Sequence, residues 1–259
     1  MFIPVFLLCL AASTIGGICG IGGGVVIKPV LDAMGSMSVP TVSFLSGLTV
    51  LSMSLMSVWK NRKGRELDTR RSIPLGIGAA VGGVTGKHLF EIIRTLAAAD
   101  AVVGALQAVI LGLLVLGTLI YVQNKTRISP RNVTHPLASV CIGLALGVCS
   151  SFLGIGGGPM NLAVLYYFFS MDTKKAAVNS ILVILLSQTA SLLSVLFSGS
   201  VPAFEPLTLL AMVSAGILGG LISARLHKKL SARTTDKLFS GLLVVIIIIC
   251  IYNLIRFVA

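Results

Sequence analysis

The stretch "GGICGIGGGVVIKPVL", residues 16–31, decides how this chain folds. Glycine inside a helix costs about 1 kcal/mol relative to alanine, so Gly22-Gly23-Gly24 predict a break in any helix that contains them. Apolar sequence nevertheless flanks the glycines on both sides. The same five letters return 134 residues later as Gly154-Ile155-Gly156-Gly157-Gly158.

Of the 259 residues, 56% are hydrophobic and 11% are charged, whereas soluble domains carry about 25% charged residues. Apolar runs near the ~20 residues that cross a bilayer occur at 2–19, 41–59, 73–93, 101–122, 136–153, 176–198, 206–226 and 238–258. Shorter apolar pieces at 25–34 and 159–171 follow the first and fifth runs. The short loops leave no room for a soluble domain. The net charge of +12 sits in short loops beside spans, the placement of the positive-inside rule, so nucleic acid is not expected as a partner. The first run has no basic n-region and is expected to stay in the mature protein. Cys9, Cys19, Cys141, Cys149 and Cys250 lie inside apolar runs without metal or redox spacing and read as small hydrophobes.

The shift of 134 also pairs Leu31 with Leu165, Ser46 with Ser180 and Ser57 with Ser191. A shift of 137 brings Gly82-Gly83 onto Gly219-Gly220. The chain is therefore read as two related halves. Loop charges set their orientation. Residues 60–72 hold Lys60, Arg62, Lys63, Arg65, Arg70 and Arg71, while the equivalent 199–205 holds none; 225–237 holds five basic residues where 87–100 holds Lys87 and Arg94. Eight simple crossings would split the 20 Lys and Arg evenly. If the fifth run instead enters and returns on the cytoplasmic side at its glycines, sixteen fall inside, leaving Lys28, Lys87, Arg94 and Arg256 outside. For the first run the charges are silent, and its re-entrant form is inferred from the repeat. The expected fold is an all-α polytopic membrane protein of two inverted-topology repeats, each with one broken, re-entrant helical hairpin and three transmembrane helices. Residues 1–123 form the N-terminal repeat, 124–135 a cytoplasmic linker and 136–259 the C-terminal repeat of one integral membrane domain. Trp59 reads as an interfacial anchor beside Lys60.

The glycine runs fail both nucleotide patterns. Lys28 follows Ile27 and precedes Pro29, so there is no Walker motif, and the last glycine of G-x-G-x-x-G is Val25 in one run and Pro159 in the other. Unwound backbone is tolerated in a bilayer only where protein buries it or it lines a cavity. Helices restarting near Val25 and Pro159 would present N–H groups and the positive end of a dipole, an anion site. The competing reading is close helix packing by small residues. Candidate substrate contacts are the backbones of Gly22, Gly23, Gly24, Gly156, Gly157 and Gly158, with Ser46, Asn161, Asn179, Ser180 and Gln188 as neutral donors in or beside the spans. Lys28 is either a counter-charge for the anion or a side chain snorkelling to the outer interface. All eight acids lie in loops or at segment ends, so no deeply buried carboxylate is expected, which favours an anionic substrate. His88, His135 and His227 read as interfacial. The ladders Gly78-Gly82-Gly86 and Ala215-Gly219-Ser223 read as close helix contacts, within each half or between them.

"GIGGGVVIKPVL" with Ser43-Phe44-Leu45-Ser46, and "GIGGGPMNLAVL" with Ala177-Val178-Asn179-Ser180, resemble the sulfite exporter TauE/SafE family of bacterial and archaeal membrane proteins over nearly the whole chain. Lys28, at a position usually apolar in that pattern, and Ala163, in place of a proline, are departures from it. The resemblance implies transport of sulfite or organosulfonate anions. The expected function is a secondary transporter, an exporter of a small sulfur-containing or carboxylate oxyanion, working by alternating access in the inner membrane of a prokaryote. An anion channel and a non-transporting receptor or assembly protein are the alternatives. No enzyme constellation is present in the spans and no cofactor is expected. The expected partners are the small anion and the lipid bilayer, with a homodimer left open.

Overall fold

The computed structural model describes residues 2–62, 64, 66–96, 100–125, 127–155 and 157–258. Among these residues the chain forms ten helices and no strands: α1 (Phe2–Cys19), α2 (Gly24–Met34), α3 (Val39–Asn61), α4 (Thr69–Leu96), α5 (Asp100–Asn124), α6 (Pro136–Leu153), α7 (Pro159–Phe169), α8 (Thr173–Phe197), α9 (Pro206–Lys229) and α10 (Ala232–Val258). Seven of them are long and apolar enough to cross a membrane: α1, α3, α5, α6, α8, α9 and α10. The glycine-rich middle of α4 and its Lys87-His88 pair lower its hydropathy below theirs. At 11 residues each, α2 and α7 span only about 16 Å, half a bilayer core.

Local chemistry fixes the ends. Ser38 and Asp172 cap α3 and α8, accepting from Thr41 N and Lys175 N, and proline opens α6, α7 and α9. Both broken helices stop where the sequence predicts, at Gly20 with φ 78° and Gly154 with φ 63°, and Gly22 (φ 76°) and Gly157 (φ 121°) keep the breaks in conformations that a side chain resists. Helices α3, α4 and α8 each run a few residues past the apolar runs, because the polar residues at their ends continue the backbone ladder outside the apolar layer.

Cross-contacts give the helix directions. Thr41 Oγ1 donates to Ala203 O (3.0 Å) and Ser52 Oγ to Val213 O (3.3 Å), so α3 and α9 run parallel. α1 runs with them, its Ser13 beside Gly219 and its Ile18 carbonyl 3.0 Å from His227 Nδ1. α4, α6 and α8 run the other way as a second parallel set. Ser72 of α4 donates to Asn179 of α8 (2.7 Å), and Gly78 and Gly86 of α4 sit on the carbonyls of Val140 and Val148 of α6. α5 and α10 pack antiparallel, tied by the Lys125–Asp236 ion pair at 2.7 Å.

One end of the bundle thereby collects the α3–α4 loop, the segment before α6, and the ends joining α7 to α8 and α9 to α10, and so most of the basic residues. Two hairpins reach inward from opposite ends. α6 leaves the basic end and α7 returns to it, where Arg131 N and Val133 N donate to Tyr167 O (2.6 Å) and Phe168 O (2.7 Å). α1 runs toward the basic end and α2 returns to the far end, where Arg256 donates to the carbonyls of Asp32 and Ala33. The small-residue ladders join helices of different halves: Gly78, Gly82 and Gly86 receive the backbone of α6, and Gly219 and Ser223 meet Ser13 and Gly17 of α1. Trp59 is half exposed, with Arg62 5.6 Å above its ring.

Candidate functional site

The two glycine breaks meet in the middle of the molecule. A Cβ on Gly24 would overlap the carbonyl oxygen of Ile155, so the first break touches the second backbone to backbone. Ile184 of α8 packs on both Gly22 and Gly157, and Val50 of α3 on Gly22 and Gly24. Val50 and Ile184 lie midway along their helices, which puts the junction at half depth. Within the first break the chain folds tightly on itself: Ile21 N and Gly22 N both donate to Gly16 O, at 2.9 and 3.3 Å. The Gly22 N–H is thus occupied inside the protein, contrary to its expected role as a donor to substrate.

The surroundings of the two breaks differ in openness. Gly20 is pressed on the backbone of Ala177, with no space for a Cβ. Ala177 corresponds in the repeat to Ser43, and Gly20 to Gly154. At Gly154 the neighbour is the Ser43 side chain, beside a cavity of about 50 Å³ lined by Ser43, Lys87, Ser150, Ser151, Gln188 and Ser191 among others. Ser151 and Ser191 share a hydroxyl hydrogen bond of 2.9 Å across this cavity. Lys87 also lines a wide vestibule of about 870 Å³ at the far end, between residues 36–41, α4 and residues 200–208. Its ammonium stands 3.8 Å from Glu91 and 5.2 Å from the Phe90 ring centroid. Lys87 is therefore a cation at the passage from an open vestibule to a hydroxyl-lined chamber.

The basic end is closed. Asn179 accepts from Asp68 N (2.9 Å) and Ser72 Oγ (2.7 Å) and donates to Glu66 O (2.8 Å) and Lys175 O (2.7 Å), locking the α3–α4 loop onto α8. His227 is buried, one ring nitrogen on the Ile18 carbonyl and the other 3.4 Å from Glu66. This corrects the expectation that His227 lies at the interface: the end of α9 is covered by α1 and by the loop that Asn179 holds.

The other sequence candidates divide into four groups. Gly23, Gly24 and Gly157 lie at the junction, with Gly158 as the extended residue before α7; Gly156 lies outside the described residues. Gln188 lines the cavity. Ser46 and Ser180 are fully buried and their hydroxyls find no partner among the described residues, nor does the Asn161 side-chain oxygen; Ser43 and Ser187 share that condition. Buried polar atoms are ordinarily paired, so these oxygens are unusual in having no partner here. Asn179 is a correction: its hydrogen bonds are filled by the closed loop, and it offers nothing to a ligand in this conformation. Lys28 does not snorkel to the interface: it is buried against Asp32, Nζ to Oδ2 2.7 Å, with the two side chains 3% and 7% exposed. A carboxylate therefore does lie inside the protein, because the Asp32 side chain turns inward onto Lys28 from the last turn of α2. Lys87, Ser150 and Ser151 were not singled out in the sequence; Lys87 follows the glycine ladder directly, a signal that it sits on a packed face.

A family profile described as "Sulfite exporter TauE/SafE" matches residues 5–249. Among curated proteins, "Probable membrane transporter protein YunE" of Bacillus subtilis (strain 168) is 24% identical over 272 residues, covering 95% of this chain and 95% of that protein. "Probable membrane transporter protein MamO" of Magnetospirillum gryphiswaldense is 26% identical over 275 residues, covering 93% of this chain but 43% of the longer protein. No solved structure matches. With its apolar helices and bacterial relatives the chain is a multi-pass prokaryotic membrane protein, and the match across nearly its full length makes it a member of the sulfite exporter TauE/SafE family of membrane transporters, which are not enzymes.

Proposed function

We propose that the chain moves a small oxyanion, of sulfite, organosulfonate or carboxylate type, by alternating access between two inverted halves, residues 1–123 and 136–259, joined by the 124–135 linker. The observation that carries this reading is the unequal pair of repeat-related contacts. Gly20 on Ala177 is shut at the basic end, while Gly154 beside Ser43 borders a chamber below an open vestibule. Exchanging the two environments would shut the far end and open the basic end. Hairpins entering from opposite ends support the inverted arrangement, and the ladders that join the halves supply surfaces on which they can rock.

The chemistry of the chamber favours an anion. Serine hydroxyls and the Gln188 amide are neutral donors, the Lys87 ammonium supplies the charge, and no carboxylate is among the chamber's lining residues. The positive-inside reading makes the basic end cytoplasmic and the conformation outward-open. An inside-negative potential favours outward movement of an anion that travels alone, by about 2.3 kcal/mol per charge per 100 mV, and export is the direction proposed.

Purified protein in proteoliposomes tests this with labelled sulfite, sulfate, sulfoacetate and acetate. Sulfite or sulfoacetate flux is expected, with acceleration by unlabelled substrate on the opposite side. Flux without such counterflow indicates a channel. Movement of cations alone would overturn the reading.

A further inference from the structure

Lys28 and Asp32 occupy a site that the anion path does not use. Asp32 Oδ1, Gln107 Oε1 and Asn253 Oδ1 are all buried and find no partner among the described residues. The amide orientations are fixed by the other half of each group: Gln107 Nε2 donates to Phe152 O (2.6 Å) and Asn253 Nδ2 to Pro29 O (2.9 Å). The three residues line one cavity of about 10 Å³, together with Lys28, Gly104, Leu153 and Cys250. That is room for a single water-sized group. Three buried acceptors without a hydrogen-bond partner thus belong to residues around one small cavity, beside an ammonium already paired with Asp32.

Lys28 also reaches the anion path. Its Cε lies 3.1 Å from where a Cβ on Gly154 would stand, and Gly154 lines the serine chamber. The Lys28 stem thus lies against a residue that borders the proposed anion chamber, while its ammonium is held on the Asp32 carboxylate. We propose that Asp32 is a proton-coupling site, and that Lys28 passes between the Asp32 carboxylate and the transported anion.

Two states follow. With Asp32 ionised, Lys28 is neutralised by it and the chamber lacks that positive charge. When Asp32 takes a proton from water, its new O–H serves the orphaned amide oxygens, and the released ammonium is a buried cation that needs an anion. One proton therefore accompanies each monoanion, and Lys28 keeps its own proton throughout. A metal cation fits poorly, because the ammonium stands 2.7 Å from the only carboxylate lining this cavity, which has no room for a hydrated ion. The titratable and charged groups around the pair are Arg256, on the Asp32 carbonyl, and the Cys250 thiol in the same cavity, both from α10; the Cys9 thiol of α1 belongs to the apolar cluster that holds Ile27 and Leu31, and Lys87 lines the chamber that Gly154 borders. Gln107 of α5, Leu153 of α6 and the α3 residues Val42 and Leu45 are neutral. A one-to-one cycle moves no net charge, so an anion that travels with its proton is driven in either direction by the sum of the anion and proton gradients and not by the membrane potential.

This inference rests on the oxyanion-transport reading, and the test separates the two. The full chain in proteoliposomes is given labelled methanesulfonate, an anion ionised at every working pH, with a trapped pH indicator, and labelled sulfite in parallel. Wild-type protein is expected to take up about one proton per methanesulfonate and to accumulate the anion at least tenfold faster under an outside-acid gradient. Asp32→Glu is expected to keep proton movement and Asp32→Asn to lose it. Should the buried lysine left by Asp32→Asn prevent assembly, the doubly neutral Lys28→Gln/Asp32→Asn protein replaces it and is expected to move no protons. Anion flux without proton uptake, flux that follows a sodium gradient, or an Asp32→Asn protein that still carries a proton per anion would each overturn the inference alone. Absence of flux for both anions in the wild type overturns the transport reading and this one with it.

Discussion

At the scale of single residues, the junction and its cation make separate predictions. Any side chain on Gly24 collides with the Ile155 carbonyl, and an overpacked contact costs about 1–3 kcal/mol. Gly24→Leu should therefore abolish flux, whereas Gly117→Leu, which has open space around it, should leave flux near wild type; equal loss in both would argue against the junction. Lys87→Gln removes a charge without emptying the chamber. A hydrogen bond to a charged group is worth about 1.5–3 kcal/mol, so the half-saturating anion concentration should rise about 10- to 100-fold, with partial recovery in Lys87→Arg. An unchanged concentration dependence would remove Lys87 from the path. The sequence disclosed the glycines because a repeated, helix-breaking motif in apolar surroundings has few other uses. It did not disclose Lys87, since position near a span end looks the same whether a side chain faces lipid headgroups or a vestibule. It misplaced Asn179, and missed the Lys28–Asp32 pair, for a related reason. An amide or ammonium inside a membrane demands partners, but the sequence does not say whether a ligand, a loop or an aspartate four residues on will supply them.

Helix-scale features were legible where physics is local. The apolar runs and the glycine breaks placed the ten helices of the described residues to within about four residues at each end, except the start of α10, which lies six residues ahead of its run, while the partner of each glycine ladder depended on three-dimensional placement. Those partners can now be tested. A Cβ on Gly82 would run into the Leu144 carbonyl and one on Gly219 into Ser13, so Gly82→Leu and Gly219→Leu should each lower the midpoint of thermal unfolding by several degrees. A shift no larger than that of Gly241→Leu, which has open space around it, would remove the ladders from the packing. The latch at the basic end makes a different prediction. Asn179→Ala deprives Asp68 N, Ser72 and the carbonyls of Glu66 and Lys175 of one partner. The loop should then lift from α8. Ser180, the buried residue next to Asn179, should become reactive as Ser180→Cys toward a polar thiol reagent added at the basic end, at least severalfold faster than with Asn179 present. Unchanged reactivity would mean that the loop is held by other contacts.

For the whole molecule, charge and direction reinforce each other. The basic loops that the sequence assigns to one side of the membrane do lie at one end of the bundle: Glu66 of the α3–α4 loop reaches His227 at the end of α9, and Asp68 reaches Asn179 near the start of α8. The loop at 199–205 lies at the opposite end, where Ala203 accepts from Thr41. A membrane that keeps Lys and Arg on its cytoplasmic face therefore has one preferred way to hold this bundle. Single cysteines at Ser200 and Ser231 read that choice directly, once the partly accessible Cys141 and Cys149 are replaced. An impermeant thiol reagent applied to intact cells should label Ser200→Cys and spare Ser231→Cys, and lysis should expose both. Labelling of Ser231→Cys alone would turn the vestibule toward the cytoplasm and make the open conformation inward-facing. Labelling of both in intact cells would break the bundle's two ends apart, and with them the assignment of the hairpins to opposite sides.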